Sequence, residues 1–272
     1  MSSGAEDRAC RWDILPGVRS FSGEAIILDV FDLQETDRIV TLLTRERGKK
    51  KGVAAGSRRK HSRFAGLLQP LARIQVGWFE KEGRDLVRIG DVDLLRPAHR
   101  LHEDLEGILL GAYLAEHLTE LVQEDEPAEL PFRLLDSTVE ALLAGVDRDL
   151  AARYFEAWML RLSGIFPPPR ECPNCERPFA DRGAVLPPRE DALICLDCAG
   201  GAGGGAGGLA VGPEALDFLL RLGGERLVDL ADRPPPPEVL RRAEELAREV
   251  RRRFLGRELR SYTVMQETLA PA

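Results

Sequence analysis

No stretch of this chain is apolar for long enough to cross a bilayer. The longest apolar segment, Gly107 to Ala115, is nine residues, against about 20 for a spanning helix. The first thirteen residues, M-S-S-G-A-E-D-R-A-C-R-W-D, carry no apolar run either, so no secretory signal is expected. Histidine is scarce: His61, His99, His102 and His117 make four in 272 residues and form no convincing ligand set. No Ser/His/Asp or paired-carboxylate arrangement stands out, so acid–base or nucleophilic catalysis has no candidate residues. The run Gly200–Gly208 has no strand before it and no Lys-Ser/Thr after it, which makes it a flexible linker and not a phosphate loop. Aromatics are only 6% of the chain. Phe31, Phe64, Trp78 and Phe79 are expected mostly in a core, which favours contact with a phosphate backbone over base stacking. Together these absences predict a soluble cytoplasmic protein with no membrane and no small-molecule substrate.

What is present is charge, unevenly placed. Between Arg38 and Arg63 lie ten lysines and arginines against one acid, Glu46, a net +9 in a chain whose total is −7. A cluster of this kind in an acidic chain predicts a polyanion site, because binding follows the local field and not the net charge. Its members are Arg38, Lys49, Lys50, Lys51, Arg58, Arg59, Lys60 and Arg63, with Arg45 and Arg47 beside Glu46 expected to be merely solvated. A polybasic membrane anchor would need a lipid or an amphipathic helix nearby, and neither is adjacent.

Along the chain, residues 1–22 are polar and aperiodic and are expected to be a disordered lead containing Cys10. Five short runs follow: Glu24–Phe31, Asp37–Thr44, Lys51–Gly56, Leu71–Phe79 and Leu86–Leu95, punctuated by glycines. In the fourth, Ile74, Val76 and Trp78 alternate with Arg73, Gln75 and Gly77. Five strands over residues 23–96 suit an OB-fold barrel, and an SH3-like barrel nearly as well. Alternation would turn Lys49 and Lys51 to one barrel face. Past Pro97 the period becomes helical. Residues 97–166 read as a helical domain, with helices to about Glu124, from Pro131 to Gly145 and from Asp149 to Gly164. Residues 102–150 hold thirteen acids and two arginines, either a solvated face of a helical bundle or a surface that keeps DNA off this domain and is offered to a basic partner. Beyond Gly208, residues 209–272 read as terminal helices packing on the helical domain: Pro213–Leu222, then Glu238–Leu255. The last has an apolar stripe of Val239, Ala243, Leu246, Val250 and Phe254 and ends in Arg251, Arg252, Arg253 and Arg257. These cations either complement the helix dipole or make a second anion contact.

The module 167–199 carries Cys172-x-x-Cys175 and Cys195-x-x-Cys198. Each loop can place two thiolates on one ion, and four soft ligands at this spacing favour Zn²⁺ in a closed structural site. A redox role needs no second matched pair, and a zinc deaminase would need an upstream H-x-E that is missing.

These residues also resemble a known family. G-E-A-I-I-L-D-V at 23–30, E-T-D-R-I-V-T-L-L-T-R-E-R-G-K at 35–49, A-A-G-S-R-R-K-H-S-R-F at 54–64, L-Q-P-L at 68–71 and L-G-R-E-L-R-S at 255–261 are similar to the bacterial recombination mediator family RecO. The resemblance implies an α+β protein with an OB-fold barrel, a helical domain and a four-cysteine zinc module. It implies no enzyme, but DNA binding and strand annealing in the RecFOR pathway of DNA repair, at the nucleoid. The implied partners are single- and double-stranded DNA, RecR, and the acidic tail of single-strand binding protein, with RecA loaded as the outcome. It makes the basic set the DNA contacts and the cysteines the zinc ligands. A rival expectation is a protein–protein adaptor with incidental nucleic-acid binding.

Overall fold

The computed structural model describes residues 18–179, 182–201 and 208–270, in two compact units. Cys10 and most of the expected lead lie outside the described residues. The first unit takes the residues up to Ala98 together with Gln123–Glu129. The second takes His99–Val122 and the residues from Leu130 onward.

Five strands build the first unit: β1 Val18–Leu33, β2 Asp37–Thr44, β3 Gly48–Ala54, β4 Arg73–Lys81 and β5 Val87–Arg96. They close in the order β1-β2-β3-β5-β4, the arrangement of an OB-fold. β1 starts at Val18, so residues 18–22, expected in the lead, are strand residues paired with β4. The ring is closed by a short parallel contact, Gly52 with Val87 and Val53 with Arg88. Gly52 is required there: a Cβ would sit 2.5 Å from Ile89 Cδ1 and 2.8 Å from Val87 Cγ2. The inward residues Ala25, Ile27, Val40, Leu42, Ala54, Ile74, Val76, Trp78, Val87 and Ile89 form the core, and Phe64 and Leu68 from the loop after β3 pack into it. Burial of these side chains at about 25 cal/mol per Å² drives closure.

The second unit is helical, with α1 Leu105–Leu121, α2 Glu129–Leu143 and α3 Arg148–Leu162 near their expected bounds. Asp104 caps α1 by accepting from the Gly107 N–H at 2.8 Å, and the Arg148 guanidinium and that N–H hold its carboxyl down at about 2. Next come β6 Ala184–Leu186, β7 Ile194–Cys195, α4 Leu196–Gly201 and β8 Leu209–Val211, then α5 Pro213–Leu222, α6 Leu227–Ala231, α7 Pro237–Leu255 and α8 Arg260–Leu269. β6 is the centre of a three-stranded sheet between β7 and β8. The glycine-rich run therefore joins the cysteine module to a strand that belongs to it; residues 202–207 lie outside the described residues.

α8 packs on α1 and α7 on α3, with a buried polar lattice among them that no apolar pattern announces. Arg251 is 0% exposed and donates to Tyr113 Oη at 2.6 Å, to Glu258 Oε1 at 2.6 Å and towards His117 Nε2 at 3.2 Å. Tyr113 in turn donates to Glu156. Arg153 reaches Glu156 Oε1 at 2.9 Å and Glu244 at 2.6 Å. Arg251 thus belongs to the buried face of α7, whereas Phe254, expected on that face, is 58% exposed. The remaining cations of the α7 end are also engaged: Arg252 and Arg253 pair with Glu249 and Arg257 with Glu120.

His117 is fully buried in this lattice. Desolvation, then the charge of Arg251, pushes its pKa from 6.5 down to about 3. A depressed histidine pKa contributes stability that is present above pH 6.5 and lost as pH falls towards 3. The urea midpoint of the wild type is expected to fall more steeply between pH 6.5 and 4 than that of His117→Gln; parallel pH profiles would contradict this.

Candidate nucleic-acid interface and metal centre

The barrel distributes the basic stretch over both of its sides. Lys49 and Lys51 point outward from β3, as the alternation demands, while Lys50 points inward and is 7% exposed. Lys50 Nζ pairs with Glu80 Oε1 at 2.8 Å and with Asp125. Burial works against its charge, but the hydrogen bonds to Asp125 and Glu80 outweigh this and raise its pKa. Trp78 Nε1 donates to the same Glu80 oxygen at 3.0 Å. Lys50 is therefore a structural cation and leaves the set of exposed candidates. Its partner Asp125 comes from Gln123–Glu129, which approaches β3 so closely that a Cβ at Gly48 would lie 2.4 Å from Glu126 O.

The exposed cations fall into two patches. About 17 Å of β3 separates Lys49 from the loop that begins after Ala54. The Lys49–Lys51 end opens on a groove of about 590 Å³ shared with Arg19, Lys81 and Arg84, but also with Glu82, Asp85 and Glu124. The loop end is more purely basic. Arg38 and Arg58 flank Asp32 at 3.1 and 3.6 Å, and Arg58 also donates to Gln34 O at 3.0 Å. Arg59 and Lys60 are exposed. Arg63 pairs with Asp91 at 3.2 Å and lies over the Phe64 ring. Such exposed pairs are worth about 0–1 kcal/mol and exchange readily for a phosphate. Arg88, from β5, joins Arg59 and Arg63 around one groove; the sequence reading missed it because it lies 25 residues beyond the basic stretch. Neither Arg45 nor Arg47 is merely solvated. Arg45 pairs with Glu24 at 3.1 Å and Glu129 at 2.8 Å, and Arg47 sits 3.7 Å over the Phe21 ring.

In the second unit the four cysteines converge. Cys172 and Cys175 belong to a turn, Cys195 ends β7, and Cys198 lies in α4. β6 pairs with β7, placing Ala184 opposite Cys195. All four sulfurs lie within 4.8 Å of one another. Cys175 Sγ and Cys195 Sγ are 3.7 Å apart, close to the ~3.8 Å between two thiolates on one tetrahedral ion with bonds of about 2.3 Å. The Arg177 guanidinium, 3.4 Å from Cys175 Sγ, holds that thiol down at about 6. Hydrogen bonding to the Cys195 and Cys175 sulfurs pushes Cys198 up to about 12. Four thiolates this close repel one another unless a cation sits among them, so the donor set fits a metal ion.

The chain thus combines a small OB-fold barrel with a cationic rim and a helical unit whose four clustered cysteines could hold a metal ion. The family models narrow this. Residues 18–98 match "Recombination protein O N terminal" and residues 102–263 match "Recombination protein O C terminal". The chain belongs to this RecO family of DNA repair and recombination proteins. Among its relatives, the DNA repair protein RecO of Anaeromyxobacter sp. (strain K) is 34% identical over 242 residues, 89% of this chain and 94% of the relative. The RecO of Myxococcus xanthus (strain DK1622) is 32% identical over 252 residues, 91% and 97%. That of Geobacter metallireducens is 35% identical over 198 residues, 73% and 78%. No helix among the described residues is long and apolar enough to cross a membrane.

Adjacent lysines should therefore behave differently. Lys50→Glu places a third carboxylate beside Glu80 and Asp125 and is expected to cost about 3–5 kcal/mol in urea unfolding. Lys51→Glu, on the solvent side, should stay within about 0.5 kcal/mol of wild type. Equal losses would contradict the inward placement of Lys50.

Proposed function

We propose that this chain is a non-catalytic DNA-binding and strand-annealing mediator. In this reading it acts with RecR to load RecA on DNA coated by single-strand binding protein, whose acidic tail it contacts. One observation carries the reading: the barrel of a recombination-family chain exposes Arg58, Arg59, Lys60 and Arg63 on one loop, within a protein that is otherwise net acidic. Arg38, Lys49 and Lys51 extend that surface. Each cation that takes up a phosphate releases condensed counterions, which gives affinity with little sequence preference. Two strands held against the same positive surface repel each other less, so complementary segments pair faster and no bond is made or broken. The acidic residues outside the basic stretch keep DNA off the rest of the chain. Such a protein works on cytoplasmic, nucleoid-associated DNA.

The metal in this reading is Zn²⁺, held by Cys172, Cys175, Cys195 and Cys198. Four sulfurs leave it no open position, so it staples a sheet of short strands that could not hold itself together. The purified chain should contain one zinc, and Co²⁺ replacement should give the charge-transfer bands of a four-thiolate site. Fewer than four sulfurs on the ion would contradict a closed structural centre.

For the DNA surface, the combined change Lys49→Glu, Lys51→Glu, Arg58→Glu and Lys60→Glu is expected to abolish binding at moderate salt with far-UV circular dichroism unchanged. At lower salt, the slope of log K against log salt on duplex DNA should become shallower by about 0.9 for each phosphate that is no longer neutralised. Retained binding with the wild-type slope would refute it.

A further inference from the structure

Phe79 faces outward from the barrel wall, as does the more exposed Phe31 on β1. On β4, Ile74, Val76 and Trp78 point into the core and are buried, so the alternation that buries them turns Phe79 out. It is only half-buried, and with Phe31 it falls outside the core in which most of the four aromatics Phe31, Phe64, Trp78 and Phe79 are expected. Its cross-strand partner on β5 is Arg88, and on β1 it is Ser20.

The backbone around this ring is irregular. β4 and β5 change register between Val76 and Trp78: a bulge sets Gly90 and Asp91 against the single residue Gly77. A Cβ at Gly90 would lie 3.1 Å from Phe79 Cε2 and 3.0 Å from Gly77 O. The ring thus rests against bare backbone, and the two glycines leave a depression on each side of it. One, of about 430 Å³, is lined by Arg59, His61, Arg63 and Arg88. The other, of about 420 Å³, is lined by Ser20, Ser22, Gln75 and Asp93. Phe79 and Gly90 line both. Asp91, at the boundary, is paired with Arg63.

We propose that Phe79 is a stacking platform for a base of single-stranded DNA whose phosphates lie on Arg59, Arg63 and Arg88. The proposal rests on the barrel being the DNA surface. The three arginines on one side of the ring suit a phosphate backbone; on the other side Ser20, Ser22 and Gln75 offer hydrogen bonds to a base edge, and the carboxylates of Asp91 and Asp93 keep phosphates off that side. A partly accessible aromatic ring flanked by cations is an arrangement that binds unpaired strands, since every base offers a π-face. Duplex DNA keeps its bases stacked internally and cannot use the platform. Phe79 therefore discriminates single from double strands, whereas the arginines serve both.

The test uses the full chain with three labelled probes: an oligo-dT strand, its abasic counterpart of equal length and charge, and a duplex. Wild type should bind oligo-dT more tightly than the abasic strand. Phe79→Ala should weaken oligo-dT binding about 5- to 150-fold, the range of one stacked base. It should leave the abasic and duplex affinities and the salt slope unchanged, and Phe79→Trp should keep the wild-type preference. Wild-type affinities in Phe79→Ala, or equal losses on all three probes, would overturn the platform. Arg59→Glu with Arg63→Glu separates the two levels. Weakened binding to all three probes upholds the DNA surface even if Phe79→Ala fails; unchanged binding overturns the surface and the platform with it.

Discussion

Closing five strands into a ring forces every second side chain to one side of the wall. That constraint decides what each residue of the basic stretch can do. The parallel closure between β3 and β5 demands a bare backbone at Gly52, and the pleat then fixes the rest. Lys49 and Lys51 go out, and Lys50 goes in. An inward ammonium is tolerable only with opposite charges around it, and Glu80 and Asp125 provide them. The same pleat drives Trp78 into the core and Phe79 out of it. Charge and aromatic character in the sequence thus acquire their roles from strand geometry and not from their residue type.

The two units satisfy their buried polar groups differently. The barrel has one inward ion cluster beneath an exposed, weakly paired cationic surface. The helical unit buries a connected lattice of Arg153, Arg251, Glu156, Tyr113 and His117. Removing one member would leave the others charged and unpaired, which costs more than the intact lattice contributes. Cations of α7 that a sequence assigns to solvent or to a ligand are instead occupied by Glu249, Glu258 and Glu120. The helical unit exposes arginines too, but Arg226, Arg233 and Arg241 each sit beside a carboxylate of their own helix or turn, whereas the loop after β3 exposes Arg58, Arg59 and Lys60 in direct succession.

Much of this was legible in the chain. The alternation of Ile74, Val76 and Trp78 marked β4, the glycine punctuation marked five strands, and the spacing of Cys172, Cys175, Cys195 and Cys198 anticipated the sulfur cluster. Strand order separated the OB-fold from the SH3-like alternative, because long-range pairing is not a local property. Lys50 was grouped with its neighbours because a run of like residues hides the period of two. Arg88 escaped notice because a groove collects residues from distant strands. Phe254 was placed inside and Arg251 outside because hydropathy ranks side chains one at a time, whereas a buried arginine depends on partners from α1 and the residues after α7. The short strands β6 and β8 are too brief to leave a pattern, and their pairing depends on the cysteine module around them.

Hydrogen–deuterium exchange of the full chain with and without an oligo-dT strand tests most directly whether DNA lies on the barrel. Protection is predicted in the loop that carries Arg58 to Arg63 and in the facing β4–β5 segment from Phe79 to Gly90, with none in the cysteine module. Protection confined to the helical unit, with the barrel loop unchanged, would contradict it.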